Sequence, residues 1–277
     1  NIRVLNTQVD CTEGAAGGVA GKISGMTQAG DFKNCWVYWD KDEQQDVRNL
    51  MLGGGYIYKE DDSDAYKIKG SAAGGLAGEL AKAGAYSLST SIENCLAAST
   101  IQGTNYAGGF IGRTEGNTNL LKSYTDCYLS GGNAAGMAGR IENGCSFLVE
   151  DAYTAGFIDM RGTQKAAGFC LGSSKVETNR AYTALYYSRQ AEGTDYTGRI
   201  FQLTETQETI NNDTFHDTYY LDVNYGHEYE SLPPPSLGGS PDCQARLVTY
   251  SELVHSDFPS KIGGAFGRKT TGTTFHF

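Results

Sequence analysis

Between Ser91 and Ile101 the chain reads SIENCLAASTI, and small or apolar residues fall on alternate positions at Cys95, Ala97, Ser99 and Ile101. A period of two predicts a strand with one narrow buried face. The same alternation places Cys127 with Leu129, and Ala152 with Thr154, Gly156 and Ile158. Helical spacing of apolar residues is almost absent. The 18 Tyr and 11 Phe, set among many Thr and Ser, also favour strands.

Two phrases carry this alternation, and each occurs five times. The first is glycine-rich: AAGGVAG from Ala15, AAGGLAG from Ala72, YAGGFIG from Tyr106, NAAGMAG from Asn133 and KAAGFCLG from Lys165. The second is FKNCWVYW from Phe32, SIENCLAAS from Ser91, SYTDCYLSG from Ser123, VEDAYTAGF from Val149 and NRAYTALYY from Asn179. They alternate strictly. Equating Cys35, Cys95, Cys127, Ala152 and Ala181 gives spacings of 60, 32, 25 and 29. The long first interval holds an insert over residues 40–66; without it the unit is about 30 residues, the signature of a stacked coil.

The expected fold is therefore all-β, a β-solenoid of five to six irregular coils spanning residues 1–230. Coils stack at roughly 4.8 Å, so equivalent residues lie over one another. Gly18, Gly75, Gly109, Gly136 and Gly168 mark where the backbones of successive coils come close. The next residue in each phrase (Val19, Leu76, Phe110, Met137, Phe169) reads as a core plug. Cys35, Cys95 and Cys127 exchange with Ala, as a small buried hydrophobe does. Asn34, Asn94, Asp126 and Asp151 before them suit a turn.

Composition narrows the partners. A net charge of −10 with no basic run argues against nucleic acid and anionic membrane surfaces. No apolar run reaches the roughly 18 residues of a membrane span. The chain opens at Asn1 without Met or a signal-peptide pattern, which reads as a processed protein or a portion of a longer secreted one. Its seven cysteines form no CxxC pair, weakening zinc and redox-motif readings.

The alternation of GGL-x-G with a following NC phrase resembles the GLUG-motif repeats of secreted and surface proteins of Gram-positive and gut bacteria. The resemblance covers roughly residues 9–185, and DTYYLDVNYG at Asp217 and RLVTYSEL at Arg246 look like ends of such arrays. Some family members are adhesin-like or pilin-like; others are immunoglobulin A peptidases with a HExxH helix. HEYE at His227 lacks the second His. The resemblance thus implies a non-enzymatic extracellular module at the bacterial cell surface, a spacer and adhesive surface. Its expected partner is a host or bacterial glycan or protein. The alternatives are a subunit or tip of a pilus-like filament that self-associates, or an accessory domain of a secreted enzyme.

Candidate chemistry is sparse. AAGGLAG lacks the Lys-Ser/Thr of a phosphate-binding loop, and five copies of a cofactor loop make no sense. Cys95 and Cys127 face inward with no nearby His, so no catalytic residue is expected. Cys11, Cys145, Cys170 and Cys243 lie off the ladder, where one pair has room to bridge, although free thiols are the default. His216 and His227, with Asp217, Asp222 and Glu228, match no metal-ligand spacing. No cofactor is expected, beyond weak Ca²⁺ binding at Asp61, Asp62 and Asp64.

Aromatics give the candidate ligand surface. Trp36, Tyr38, Tyr128, Tyr153 and Tyr182 run out of phase with the narrow core and would form an outward ladder for sugars or protein. The competing reading is that the tail covers them. That tail comprises a Pro/Gly linker at 231–242, with LPPPSLGGSPD from Leu232, and a cap or junction over 243–277 with capping-box spacing at Thr249–Glu252.

Overall fold

The computed structural model describes residues 2–5, 7–26, 30–38, 67–82, 84, 89–142, 144–159, 163–173, 175–187, 214–221, 246–248, 252 and 257–258. The insert at 40–66, the linker at 231–242 and most of the tail lie outside them. The first coil runs through β1 (Ile2–Leu5), β2 (Val9–Gly17), β3 (Ala20–Met26) and β4 (Gly30–Lys33). The second holds β5 (Cys35–Tyr38), β6 (Lys67–Gly74), β7 (Ala77–Lys82) and β8 (Ser89–Glu93). The third holds β9 (Leu96–Ala98), β10 (Thr100–Gly108), β11 (Ile111–Thr114) and β12 (Asn117–Leu121). Later strands cross corners: β13 (Tyr124–Ala135), β14 (Ala138–Ile141), β15 (Ser146–Asp159), β16 (Lys165–Ala167) and β17 (Lys175–Tyr187). The series closes with β18 (Thr214–Leu221) and β19 (Arg246–Val248).

Each strand pairs in parallel with its counterpart one coil on, so the chain is a β-solenoid of about five turns. A coil has four sides. On the first, β1, β5, β9, β13, β15, β17, β18 and β19 succeed one another. The glycine phrases make the second side, β2, β6, β10, β13 and β16. The third is a separate sheet of β3, β7, β11 and β14. The fourth runs β4, β8, β12, β15, β17 and β18. Among the described residues no helix is long and apolar enough to cross a membrane.

The glycine phrase stacks as its small residues require. Gly18 N donates to Gly75 O at 3.0 Å and Gly75 N to Gly109 O at 3.1 Å, while Phe110 N donates to Met137 O at 2.8 Å. The plugs Leu76, Phe110, Met137 and Phe169 are fully buried, and Val19 on the first coil packs against them partly buried. A Cβ on Gly75 would run into Gly109 O and the Ala97 Cβ; one on Gly109 would meet Gly136 O and Thr125. The glycines are thus the sockets into which the inner residues of the first side (Val37, Ala97, Thr125, Thr154) fit.

The corner between the fourth and first sides is a single left-handed residue on every coil: Asn34, Asn94, Lys122, Asp151, Arg180 and Asp217, with φ between 43° and 53°. Asn and Asp tolerate this conformation best, because their side chains bond locally. Asn94 Nδ2 donates to Asn34 Oδ1 at 2.5 Å, starting an amide ladder. Beyond it the charge alternates through Lys122, Asp151, Arg180 and Asp217, and Arg180 Nε donates to Asp151 Oδ1 at 2.5 Å.

This corner corrects one sequence-based alignment. Cys127 is not the counterpart of Cys95, nor Asp126 of Asn94. Leu96 pairs with Tyr124, and Cys95 N donates to Ser123 Oγ at 2.9 Å across 28 residues. The true column is Cys35, Cys95, Ser123, Ala152 and Ala181, and the later pairs recur at a regular 29 residues. TDC imitates the ENC phrase, but it lies four residues further along the first side. Cys127 is equally buried there, with its Sγ donating to Ala97 O at 3.3 Å.

Candidate functional site

The first side carries the candidate surface, because its outward positions are aromatic on successive coils. In register, Arg3 is followed by Trp36, Leu96, Tyr124, Tyr153, Tyr182 and Tyr219. Tyr124 and Tyr219 are members that the sequence alignment missed; the left-handed corners, each two residues upstream, are the signal that locates them. Beside this column Tyr38 pairs with Ala98 on the early coils, and Asp126, Ala155 and Ala184 follow one another on the later ones.

The rings stack on one another. Tyr124 and Tyr153 have centroids 4.8 Å apart and planes within 9°, and Tyr153 and Tyr182 repeat this at 4.8 Å and 5°. The separation is the coil rise itself, so in-register tyrosines are face-to-face by construction. Their faces are therefore taken, and sugar stacking on Tyr153 or Tyr182 has no ring face to use. Burial agrees: Tyr153 is 6% exposed and Tyr182 1%.

The tail completes that burial. Phe258 stands edge-on to Tyr182 at 5.4 Å and to Tyr219 at 5.3 Å, and Val248 of β19 joins the same cluster. Burial raises the Tyr182 phenol well above its ordinary range, with smaller contributions from Asp126 and Tyr124. Covering by the tail is thus the outcome for this half of the column. Trp36, Leu96 and Tyr124 at the other half stay partly exposed. Arg3 lies over the Trp36 ring at 4.4 Å, a cation–π contact, while Trp36 Nε1 donates to Asn94 O at 3.2 Å.

Tyr128 belongs to a different position, at the corner where the first side meets the glycine side. It stacks on Phe157 at 5.3 Å, and its hydroxyl donates to Asp159 Oδ2 at 2.7 Å. The insert leaves the coil at this corner: the described chain stops after Tyr38 and resumes at Lys67, whereas on the next coil Ser99 alone joins β9 to β10. Tyr38 and Tyr128 are both half-buried here.

Other reactive groups are held structurally. Cys11 is exposed and Cys35, Cys95, Cys127, Cys145 and Cys170 are buried, all as free thiols; Cys243 lies outside the described residues. Burial pushes the thiols of Cys95 and Cys127 up to about 12, leaving them protonated and unreactive at neutral pH. On the third side, Arg113 donates to Glu79, Glu115 and Glu142 at 2.8–2.9 Å, and Lys22 reaches Glu79 at 3.2 Å. Burial works against the Arg113 charge, but its bond to Glu142 and the fields of the three carboxylates leave its pKa raised. Among the described residues no group of His, Cys, Asp or Glu is arranged to hold a metal. Asp61, Asp62, Asp64, Asp222, His227 and Glu228 lie outside them.

The chain was compared with family models, curated proteins and solved structures, and none of them matches it.

Proposed function

We propose that this chain is a non-enzymatic β-solenoid module of a bacterial cell-surface protein, a spacer that also presents a binding surface. The observation that carries this reading is where variation is placed. Coils repeat on all four sides, and the long insertion at 40–66 interrupts them at one corner, between half-buried Tyr38 and half-buried Lys67. In stacked-repeat proteins an insertion confined to one face is the usual way to build a ligand contact on a rigid rod. The partner is a surface glycan or protein, and neither nucleic acid nor a membrane suits a chain of net charge −10.

Binding to a glycan array and to extracellular-matrix proteins tests this. The intact chain should bind, and a variant with residues 40–66 replaced by one Ser should lose at least about tenfold in affinity while keeping its melting temperature. Turnover of a substrate, or equal binding by the shortened variant, would refute the reading.

A second reading, a subunit of a pilus-like fibre, is favoured by β1. Its Ile2 and Leu5 are 44% and 52% exposed on an edge strand, the large hydrophobics so exposed among the described residues. Such an edge is a template for another chain. Concentration-dependent end-to-end assembly that Leu5→Lys abolishes would select it.

A further inference from the structure

We infer that the outward face of the glycine side around Tyr106 binds a neutral glycan, with a pyranose ring stacked on the tyrosine. The site rests on the binding function proposed above and gives it a place and a ligand class. From coil to coil, Ala15, Ala72, Tyr106, Asn133 and Lys165 succeed one another at one outward position. That column holds no second ring. Tyr106 therefore has no in-register aromatic neighbour against either face, unlike Tyr153, which is stacked on both. It is half-buried and, among the described residues, makes no ring contact and no hydrogen bond. Such a ring offers a sugar the aromatic face that the stacked first side withholds.

A bulge supplies the polar rim. Between Gly103 and Tyr106 the register shifts against both neighbours, because β10 carries Thr104 and Asn105 where β6 has Ser71 alone and β13 has Gly132 alone. Bulges re-aim side chains and gather beside binding sites, and both extra residues are exposed. Asn105 Nδ2 donates to Ser71 Oγ at 2.9 Å, and Asn133 Nδ2 donates to Asn105 O at 3.2 Å. These bonds fix the two amides and, among the described residues, leave the Oδ1 of each as an open acceptor. Gln102, on the outward column before the bulge, adds an amide with donors and an acceptor. One ring edged by such groups matches a pyranose, whose apolar C–H face is edged by hydroxyls. The patch is also uncharged: Lys69, beside Gln102, faces Asp10 at 3.7 Å, and a net charge of −10 disfavours an acidic sugar. The insert at 40–66 rejoins the coil at Lys67, the start of β6, and β6 pairs with β10. Tyr106 thus lies on the side that the insertion adjoins.

Isothermal titration of the full chain with neutral hexasaccharides of glucose, galactose, mannose and N-acetylglucosamine tests the site. At least one should bind, and Tyr106→Ala should weaken that binding by about tenfold or more, whereas Tyr106→Phe, which keeps the ring, should stay within about threefold. Gln102→Ala and Asn133→Ala should each weaken it several-fold. Should Tyr106→Ala lower the melting temperature, nitration of Tyr106 by tetranitromethane in the unaltered chain, read by peptide mass spectrometry, carries the same test: the bound sugar should suppress it. A sugar that binds the Tyr106→Ala variant as well as the unaltered chain, or that leaves nitration of Tyr106 unchanged, would overturn this site and leave the binding function standing. Binding to an extracellular-matrix protein but to none of the four sugars would overturn the glycan as ligand. Binding to neither would overturn the site and the binding function together.

Discussion

At the residue scale, size governs the coil interior more than chemistry does. Gly75 and Gly109 each lie against both the next coil's carbonyl and an inner residue of the first side. Neither obstacle is a flexible side-chain end. Gly75→Val or Gly109→Val should therefore cost about 3 kcal/mol or more, a wedge that repacking cannot absorb; urea unfolding measures it. Cys95→Ala, by contrast, should cost about 1 kcal/mol, since Ala already fills equivalent positions at Ala152 and Ala181. The same thiols set a pH dependence. Their folded values stand near 12, above the ordinary value of 9.0, so the stability they contribute is complete below about pH 9. It is lost as pH rises from there towards 12, because only the unfolded thiols ionise. Melting temperature should fall across that window, and less steeply in a Cys95→Ala/Cys127→Ala variant.

At the element scale, the corners and the third side make separate demands. Lys122 and Arg180 hold left-handed backbone that lysine and arginine adopt at a cost, whereas Asn34 and Asn94 suit it. Lys122→Asn should raise stability by about 0.5–1 kcal/mol and extend the amide ladder begun by Asn34 and Asn94; thermal melts of the single variant check this. On the third side, Arg113→Met would leave Glu79, Glu115 and Glu142 facing one another without their shared cation. A loss of about 1–2 kcal/mol is expected at low salt, shrinking as added salt screens the carboxylates.

These elements also show how far the pattern of residues could be read. The glycine phrases were legible in register, because glycine and a following plug are needed on every coil whatever else changes. The aromatic column was read only in part. Cys127 follows an acidic residue just as Cys95 follows Asn94, and composition alone does not reveal that the turn instead falls on Lys122. Lysine carries no turn signal, so the tie between Ser123 and Cys95 emerges only from the hydrogen bond they make. Tyr153 and Tyr182 were correctly placed on the outward positions. Phe258, more than seventy residues beyond Tyr182, packs edge-on against it, a contact no local pattern encodes.

At the scale of the whole molecule, stability comes from a parallel ladder that runs from coil to coil, with a tyrosine column clamped at Tyr182 and Tyr219 by the tail. Phe258→Ala should cost about 3 kcal/mol, since it uncovers both Tyr182 and Tyr219, and should weaken the near-ultraviolet circular dichroism of the tyrosines. The ladder's register is the claim on which the sockets, the column and the binding corner all depend. Cross-strand nuclear Overhauser contacts in a deuterated sample test it most directly. A parallel solenoid in this register predicts contacts joining Leu96 to Tyr124 and Tyr124 to Tyr153, each between neighbouring coils. Contacts joining Leu96 to Tyr128 instead, or an antiparallel pattern, would contradict it.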